Sequence, residues 1–229
     1  FEIITEEGLN ILIDPFISNN PACQIPVEEF NPDIILVTHG HSDHLGDAME
    51  LSNKNNVPVA AIHEISLFLS KQGINNIGVN IGGSFIYRGV KFTMLDAKHS
   101  SVLDIVEEPL PAGDAASFLI TLEDGTKLFH AGDTGLFGDM KTIIGEIYKP
   151  DIALLPIGDK FTMGPFEAAL ATRWIDSKVA IPIHYNTFPP IEQDPSIYAN
   201  FVSQLNPNID VVILNPGEYF EYNPENYQD

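Results

Sequence analysis

Val37-Thr38-His39-Gly40-His41-Ser42-Asp43-His44-Leu45-Gly46-Asp47 is the stretch that decides how this chain reads. Three imidazoles and one carboxylate fall between His39 and His44. The run Ile34-Ile35-Leu36-Val37 leads straight into them and, being short, continuous and β-branched, predicts a buried strand. Leu45, Ala48, Met49 and Leu51 recur at helical spacing, which predicts a helix from about Ser42 to Lys54 with Ser42 or Asp43 near its N-cap. The cluster therefore sits on a strand-to-helix turn. His39 and His41 are spaced to reach one ion from the same side. Asp43 and His44 lie further round and face a second. Imidazole and carboxylate are ligands of Zn²⁺, and histidine also suits iron, nickel and manganese. A lone loop histidine is ordinarily a surface residue. The pattern HxHxDH behind a buried strand is a ligand cradle.

Composition sets the class. The chain of 229 residues can bury a sizeable core, and no Gly/Ser linker or low-complexity tract divides it. A single domain over 1–229 is expected. No apolar run reaches membrane-span length and no signal peptide is visible, so no membrane partner is expected. The first residue is Phe1 rather than Met, so a clipped start is expected. Cys23 is the only cysteine, which rules out an intrachain disulfide and fits a reducing cytoplasm. Acidic residues number 32 against 11 Lys plus Arg, for a net charge of −21. Such a field repels polyanions, and no basic run draws in nucleic acid. The acidity alone needs no more than solubility or adaptation to salt as its reason.

Strands and helices alternate along the chain. Strands are expected at 9–15, 34–38, 57–62, 77–81, 84–87, 90–95, 116–122, 127–130, 151–158, 179–184 and 211–214. Helices are expected at 64–71, 136–148, 165–175 and 195–205, with long loops at 16–32 and 100–115. Pro15 stops the first strand, and Asp124-Gly125 is a strong hairpin signal. This order predicts two sheets packed face to face with helices outside, with a doubly wound sheet as the rival.

Three further residues share a trait with the opening cluster. His99 ends the 92–98 stretch, His184 ends the 179–183 strand, and Asp133 follows the 127–130 strand through Ala131-Gly132. Strand ends that meet at one rim are where sites gather. Taken singly, each histidine reads as an ordinary hydrogen-bonded residue and Asp133 as a turn aspartate. His63, at a helix start, reads as structural. His130, on a buried strand, reads as a satisfied core imidazole. Lys160, Phe161 and Met163 follow Ile157-Gly158 and either touch substrate or pack.

HxHxDH, with His99, Gly132-Asp133-Thr134 and His184 in that order, resembles the metallo-β-lactamase superfamily over nearly the whole chain. The stretches Leu9–Pro15, Phe129–Gly135 and Pro182–Tyr185 resemble its metal-dependent hydrolase branch, which is similar to ascorbate-phosphate lactonases. The resemblance implies an α+β fold, the αββα sandwich of two mixed sheets, with metals at one sheet edge. It implies that His39, His41 and His99 hold a first metal, that Asp43, His44 and His184 hold a second, and that Asp133 bridges both. It implies a metal-bridging hydroxide as nucleophile, with Asp43 also handling a proton, and Asp14 and Thr134 bracing the ligands. Zn²⁺ is the expected ion, with Mn²⁺, Ni²⁺ and Fe²⁺ as alternatives. Relatives begin with a further strand containing Gly-His-Ser, absent here. Many true β-lactamases lack the bridging aspartate, so Asp133 points toward lactonases and phosphodiesterases. Oxygen-reducing diiron relatives place Glu where His41 stands, which argues against a redox role. The expectation is a cytoplasmic dinuclear hydrolase of a small ester, lactone or phosphodiester, with homo-oligomerisation left open. An iron-binding redox or sensor protein of the same fold is the alternative.

Overall fold

Parallel strands place the catalytic candidates in this chain, and continuous apolar runs make those strands. The computed structural model describes residues 1–227, in two compact units that divide after Ser117.

The first unit holds a five-stranded sheet in the order β1 (Glu2–Ile4), β2 (Asn10–Ile13), β3 (Ile34–Leu36), β4 (Val59–Ile62), β5 (Asn76–Val79). β1 is antiparallel to β2, and the other neighbours are parallel. Every residue of β3 and β4 is buried, as expected of parallel strands covered on both faces. Each such Ile or Leu contributes about 1.5–3 kcal/mol by leaving water. The expected helix from Ser42 to Lys54 is broken in two, α1 (Ser42–Leu45) and α2 (Ala48–Asn55). Gly46 is the reason. It adopts φ +43°, and a Cβ there would lie 2.3 Å from the Pro15 carbonyl oxygen. Asp47 N–H donates to that same carbonyl at 2.8 Å, so the loop after β2 displaces the helical ladder.

α3 (His63–Lys71) follows β4 directly, and Gly73 at φ +76° ends its turn. β6 (Ser84–Tyr87) and β7 (Val90–Asp96) form an antiparallel hairpin across Arg88-Gly89, both at positive φ. The expected loop at 100–115 carries a small hairpin instead, β8 (Val102–Leu103) with β9 (Leu110–Pro111).

β10 (Ala116–Thr121) leads into the run β10, β11 (Lys127–His130), β12 (Ile152–Pro156), β13 (Val179–Ile183), β14 (Asp210–Val211), which with β6 and β7 makes up a seven-stranded sheet. β10 and β11 are antiparallel across Asp124-Gly125, and the rest of that run is parallel. β12 and β13 are buried throughout. α4 (Pro165–Ile175) and α5 (Pro195–Leu205) match their expected spans, each opening on a proline. The helix expected from Leu136 begins at Met140 and is π-helical to Tyr148. Its Gly145 approaches α4 so closely that a Cβ would lie 2.2 Å from the Trp174 carbonyl. β14 is shorter than the expected 211–214, because it is an edge strand whose continuation is half exposed. Among the described residues, no helix is long and apolar enough to cross a membrane.

Candidate metal centre

In the first unit, β2, β3 and β4 end on one rim, where α/β sheets place their ligands. The rim carries Asp14 after β2, Thr38 and His39 after β3, and His63 after β4. His41 precedes the first turn of α1. Its Nδ1 lies 2.9 Å from Nε2 of His39, with the two rings edge-on at 82°. The His99 ring, three residues beyond β7, lies 5.0 Å from that of His39 and 5.2 Å from that of His41. One nitrogen from each of the three gathers within 4.8 Å. Three imidazoles so placed suit a single divalent ion, since Zn–N bonds of about 2.0–2.1 Å hold their donors roughly 3–3.5 Å apart.

His44 is buried, with its ring 4.0 Å from that of His39. Its Nε2 lies 3.8 Å from the Asp43 carboxylate. Its Nδ1 lies 2.8 Å from Oδ2 of Asp14. The other partners of Asp14 define the local tautomers. Its Oδ1 accepts from the Thr38 N–H at 2.8 Å, and its Oδ2 accepts the Thr38 hydroxyl at 2.7 Å. Thr38 has then spent its one proton, so the contact at 3.0 Å between Thr38 Oγ1 and His39 Nδ1 has the imidazole donating. His44 Nδ1 likewise donates to the carboxylate. Both rings are thereby turned with Nε2 as the lone-pair nitrogen, the form a metal takes. Asp14 holds this post at φ +48°.

The second unit repeats the rule. β11 and β13 are the strands on either side of β12, and Asp133 and His184 follow their ends. Gly132, at φ +59°, turns the chain so that Asp133 is buried. His184 adopts φ +53°, a costly conformation for a non-glycine residue and one that gathers at functional positions. Its Nε2 lies 3.3 Å from Oδ2 of Asp133. His130 is buried and its Nδ1 accepts the Gly132 N–H at 3.2 Å. Thr134 gives its hydroxyl proton to the Gly135 carbonyl at 2.7 Å. His63 is exposed at the start of α3.

Some supporting groups left no sequence signal. Asp47 accepts from the N–H groups of Ile17 and Ser18 at 2.8 and 2.9 Å, which fastens the loop after β2 to the histidine turn. The 3.3 Å contacts of Gly40 N–H with Ser101 Oγ and of Ser42 Oγ with Asp104 fasten the β8–β9 hairpin to the same turn. Aspartates and serines in loops carry no periodicity, so nothing in the sequence singles these out.

Residues 9–185 match the family described as the Beta-lactamase superfamily domain. A metal-dependent hydrolase of Methanobrevibacter smithii is 99% identical over 229 residues, all of this chain and 96% of that protein. One of Methanosphaera stadtmanae is 56% identical over 219 residues, 95% of this chain and 94% of its own. The solved structure of Igni18, a metallo hydrolase from Ignicoccus hospitalis, is 37% identical and superposes with a TM-score of 0.87, covering 97% of this chain and 95% of its own. Mixed sheets flanked by helices thus make up the α+β metallo-β-lactamase fold that the motif implied. The chain belongs to the β-lactamase superfamily, among its metal-dependent hydrolases.

Proposed function

We propose that all seven candidate residues serve one dinuclear hydrolytic centre, within a single hydrolase domain spanning 1–229. His39, His41 and His99 would hold one ion, Asp43, His44 and His184 the other, and Asp133 would be shared between them. The observation that carries this reading is the gathering of one nitrogen each from His39, His41 and His99 within 4.8 Å. The orientation of His39 and His44 by Asp14 and Thr38 supports it, as does the contact of Asp133 with His184. Zn²⁺ is the ion best suited to imidazole-rich sites, with Mn²⁺, Ni²⁺ and Fe²⁺ as alternatives.

When bound, a pair of divalent ions supplies an acidified water and a Lewis acid toward the oxygen under attack. The chain's own residues do the rest. Asp133 is buried, and its negative charge would offset the repulsion between two cations held beside it. Asp43 is the more open carboxylate, with a side chain 30% exposed, and is positioned to take a proton. The substrate is a small ester, lactone or phosphodiester. The single Cys23 accords with a reducing, cytoplasmic setting.

The test is a hydrolysis panel on metal-loaded protein, run beside Asp133→Ala and His184→Ala, with metal content and visible absorbance recorded. Colourless, metal-dependent cleavage abolished by both substitutions supports the proposal. Equal cleavage by both variants, or a coloured iron centre without hydrolysis, refutes it.

A further inference from the structure

A cavity of about 700 Å³ opens on the helical side of the second unit, lined by the π-helix Met140–Tyr148, α4 and the end of α5. That is the size of a small-molecule site. Lys141 and Lys149 stand to either side of Gly145 in sequence, and all three line the cavity. Gly145 has no side chain to fill the space between them. Arg173 and Trp174, in the last turn of α4, line it from the facing helix. None of the seven candidate metal ligands is among the lining residues. Asp176, which also lines it, precedes the start of β13 at Val179, whereas His184 follows the other end of that strand. A strand of 5 residues, roughly 17 Å long, separates this wall of the cavity from His184.

The charge of this cavity runs against that of the chain. Lys plus Arg number 11 against 32 acidic residues, yet Lys141, Lys149 and Arg173 converge here. Two carboxylates, of Glu146 and Asp176, line the same space. They do not neutralise the cations by contact, since among the described residues the lysines and arginines in ion pairs are Arg88, Lys98 and Lys178. Asp176 instead accepts the side-chain amide of Asn206 at 2.9 Å. Helix dipoles account for part of the pattern. Arg173 in the last turn of α4 and Lys149 as the C-cap of the π-helix both sit where a helix end favours a cation. Lys141 follows the first residue of the π-helix, where the same dipole disfavours one. Local helix electrostatics thus give no reason for the third cation.

We infer that this cavity is a second binding site, for a small anion carrying two or more negative charges, a phosphate ester or a polycarboxylate. Arg173 offers the planar fork that pairs with either oxyanion, and Lys141 and Lys149 offer point charges from the π-helix. Cations on two separate helices need an anion with enough oxygens to reach them together, which a halide or a lone carboxylate lacks. The site requires neither a metal nor a reaction, so it stands apart from the hydrolytic reading above.

Trp174 is half-buried and is the single tryptophan of the chain, so its fluorescence reports on this cavity. The experiment titrates glycerol 3-phosphate and tricarballylate, a phosphate dianion and a tricarboxylate, into the protein at constant ionic strength. Calorimetry is run beside the fluorescence, on zinc-loaded and on metal-stripped protein. The expected result is a saturable change with a Kd below about 1 mM, the range in which enzymes meet their metabolites, and the same with and without zinc. Each of Lys141→Gln, Lys149→Gln and Arg173→Gln should weaken binding about five- to tenfold, the size of one charge-assisted contact at a partly exposed site. Lys71→Gln, which removes an exposed lysine from the end of α3, should leave it unchanged. The tighter of the two anions says whether phosphate or carboxylate is the natural group. No saturable signal for either anion, or equal binding by wild type and all three cavity variants, would overturn the inference. Binding that vanishes when zinc is stripped would also overturn it, by placing the anion at the metal centre.

Discussion

Oδ2 of Asp14 lies 2.8 Å from Nδ1 of His44, and the same carboxylate reaches His39 through the hydroxyl of Thr38. One side chain on the loop after β2 therefore sets the tautomers of two histidines on the turn after β3. Asp14→Asn tests this without disturbing the backbone, because Asn tolerates the left-handed conformation that Asp14 adopts at φ +48°. The amide has lost the charge and one acceptor. Metal affinity is expected to fall about 10–100-fold, as for other groups that orient a ligand from behind, read by competition with a chromogenic chelator. An unchanged affinity would show that the histidines are oriented by something else.

Gly46→Ala addresses the break between α1 and α2. The new methyl would meet the Pro15 carbonyl at 2.3 Å, on a residue at φ +43°. A loss of about 2–4 kcal/mol in unfolding free energy is expected from clash and backbone strain together. Urea denaturation of the metal-free protein measures it apart from any effect on binding. A loss below about 0.5 kcal/mol, the range of an ordinary surface change, would mean that the turn relaxes freely.

The buried contact between α4 and α5 carries a pH dependence. Thr172 donates to the Ala168 carbonyl at 2.9 Å, so at 2.6 Å the Tyr198 hydroxyl is the donor to Thr172. Burial pushes the Tyr198 phenol well above its ordinary range. The folded state thus favours the protonated phenol, while the unfolded chain loses that proton near pH 10. Stability from this group is complete below pH 10 and is lost as pH rises from there toward the folded value, at up to about 1.4 kcal/mol per pH unit. Tyr198→Phe should flatten the alkaline limb of a stability–pH curve, at a cost near neutrality of about 1 kcal/mol for the lost hydrogen bond. An identical alkaline slope in both proteins would contradict the assignment.

The motif made the centre of this fold legible because HxHxDH is local: strand, turn and ligands lie within one short stretch. β12, β13, α4 and α5 were equally plain, since continuous apolar runs and prolines at helix starts act through neighbours in sequence. What failed to show depends on distant partners. β1 has three residues and exists only because Ile3 pairs with Ile11. The helix over 42–54 reads as one piece until Pro15 places its carbonyl at Gly46. The β8–β9 hairpin has two residues a side and is held by Gly40 and Ser42, outside any window of its own. By their own local pattern Asp133 and His184 were visible as no more than strand ends, and the family resemblance singled them out. Their 3.3 Å contact follows from two parallel strands on either side of β12 ending on the same rim.

Metal stoichiometry tests the centre most directly. Wild type, His99→Ala and His184→Ala, stripped and reloaded with Zn²⁺, would be assayed for bound metal by mass spectrometry and for affinity by calorimetry. Two equivalents in wild type, with one site lost or weakened at least 100-fold in each variant, is the expected result. A single equivalent in wild type, or a His184→Ala protein that still binds two ions with unchanged affinity, would contradict the seven-residue centre.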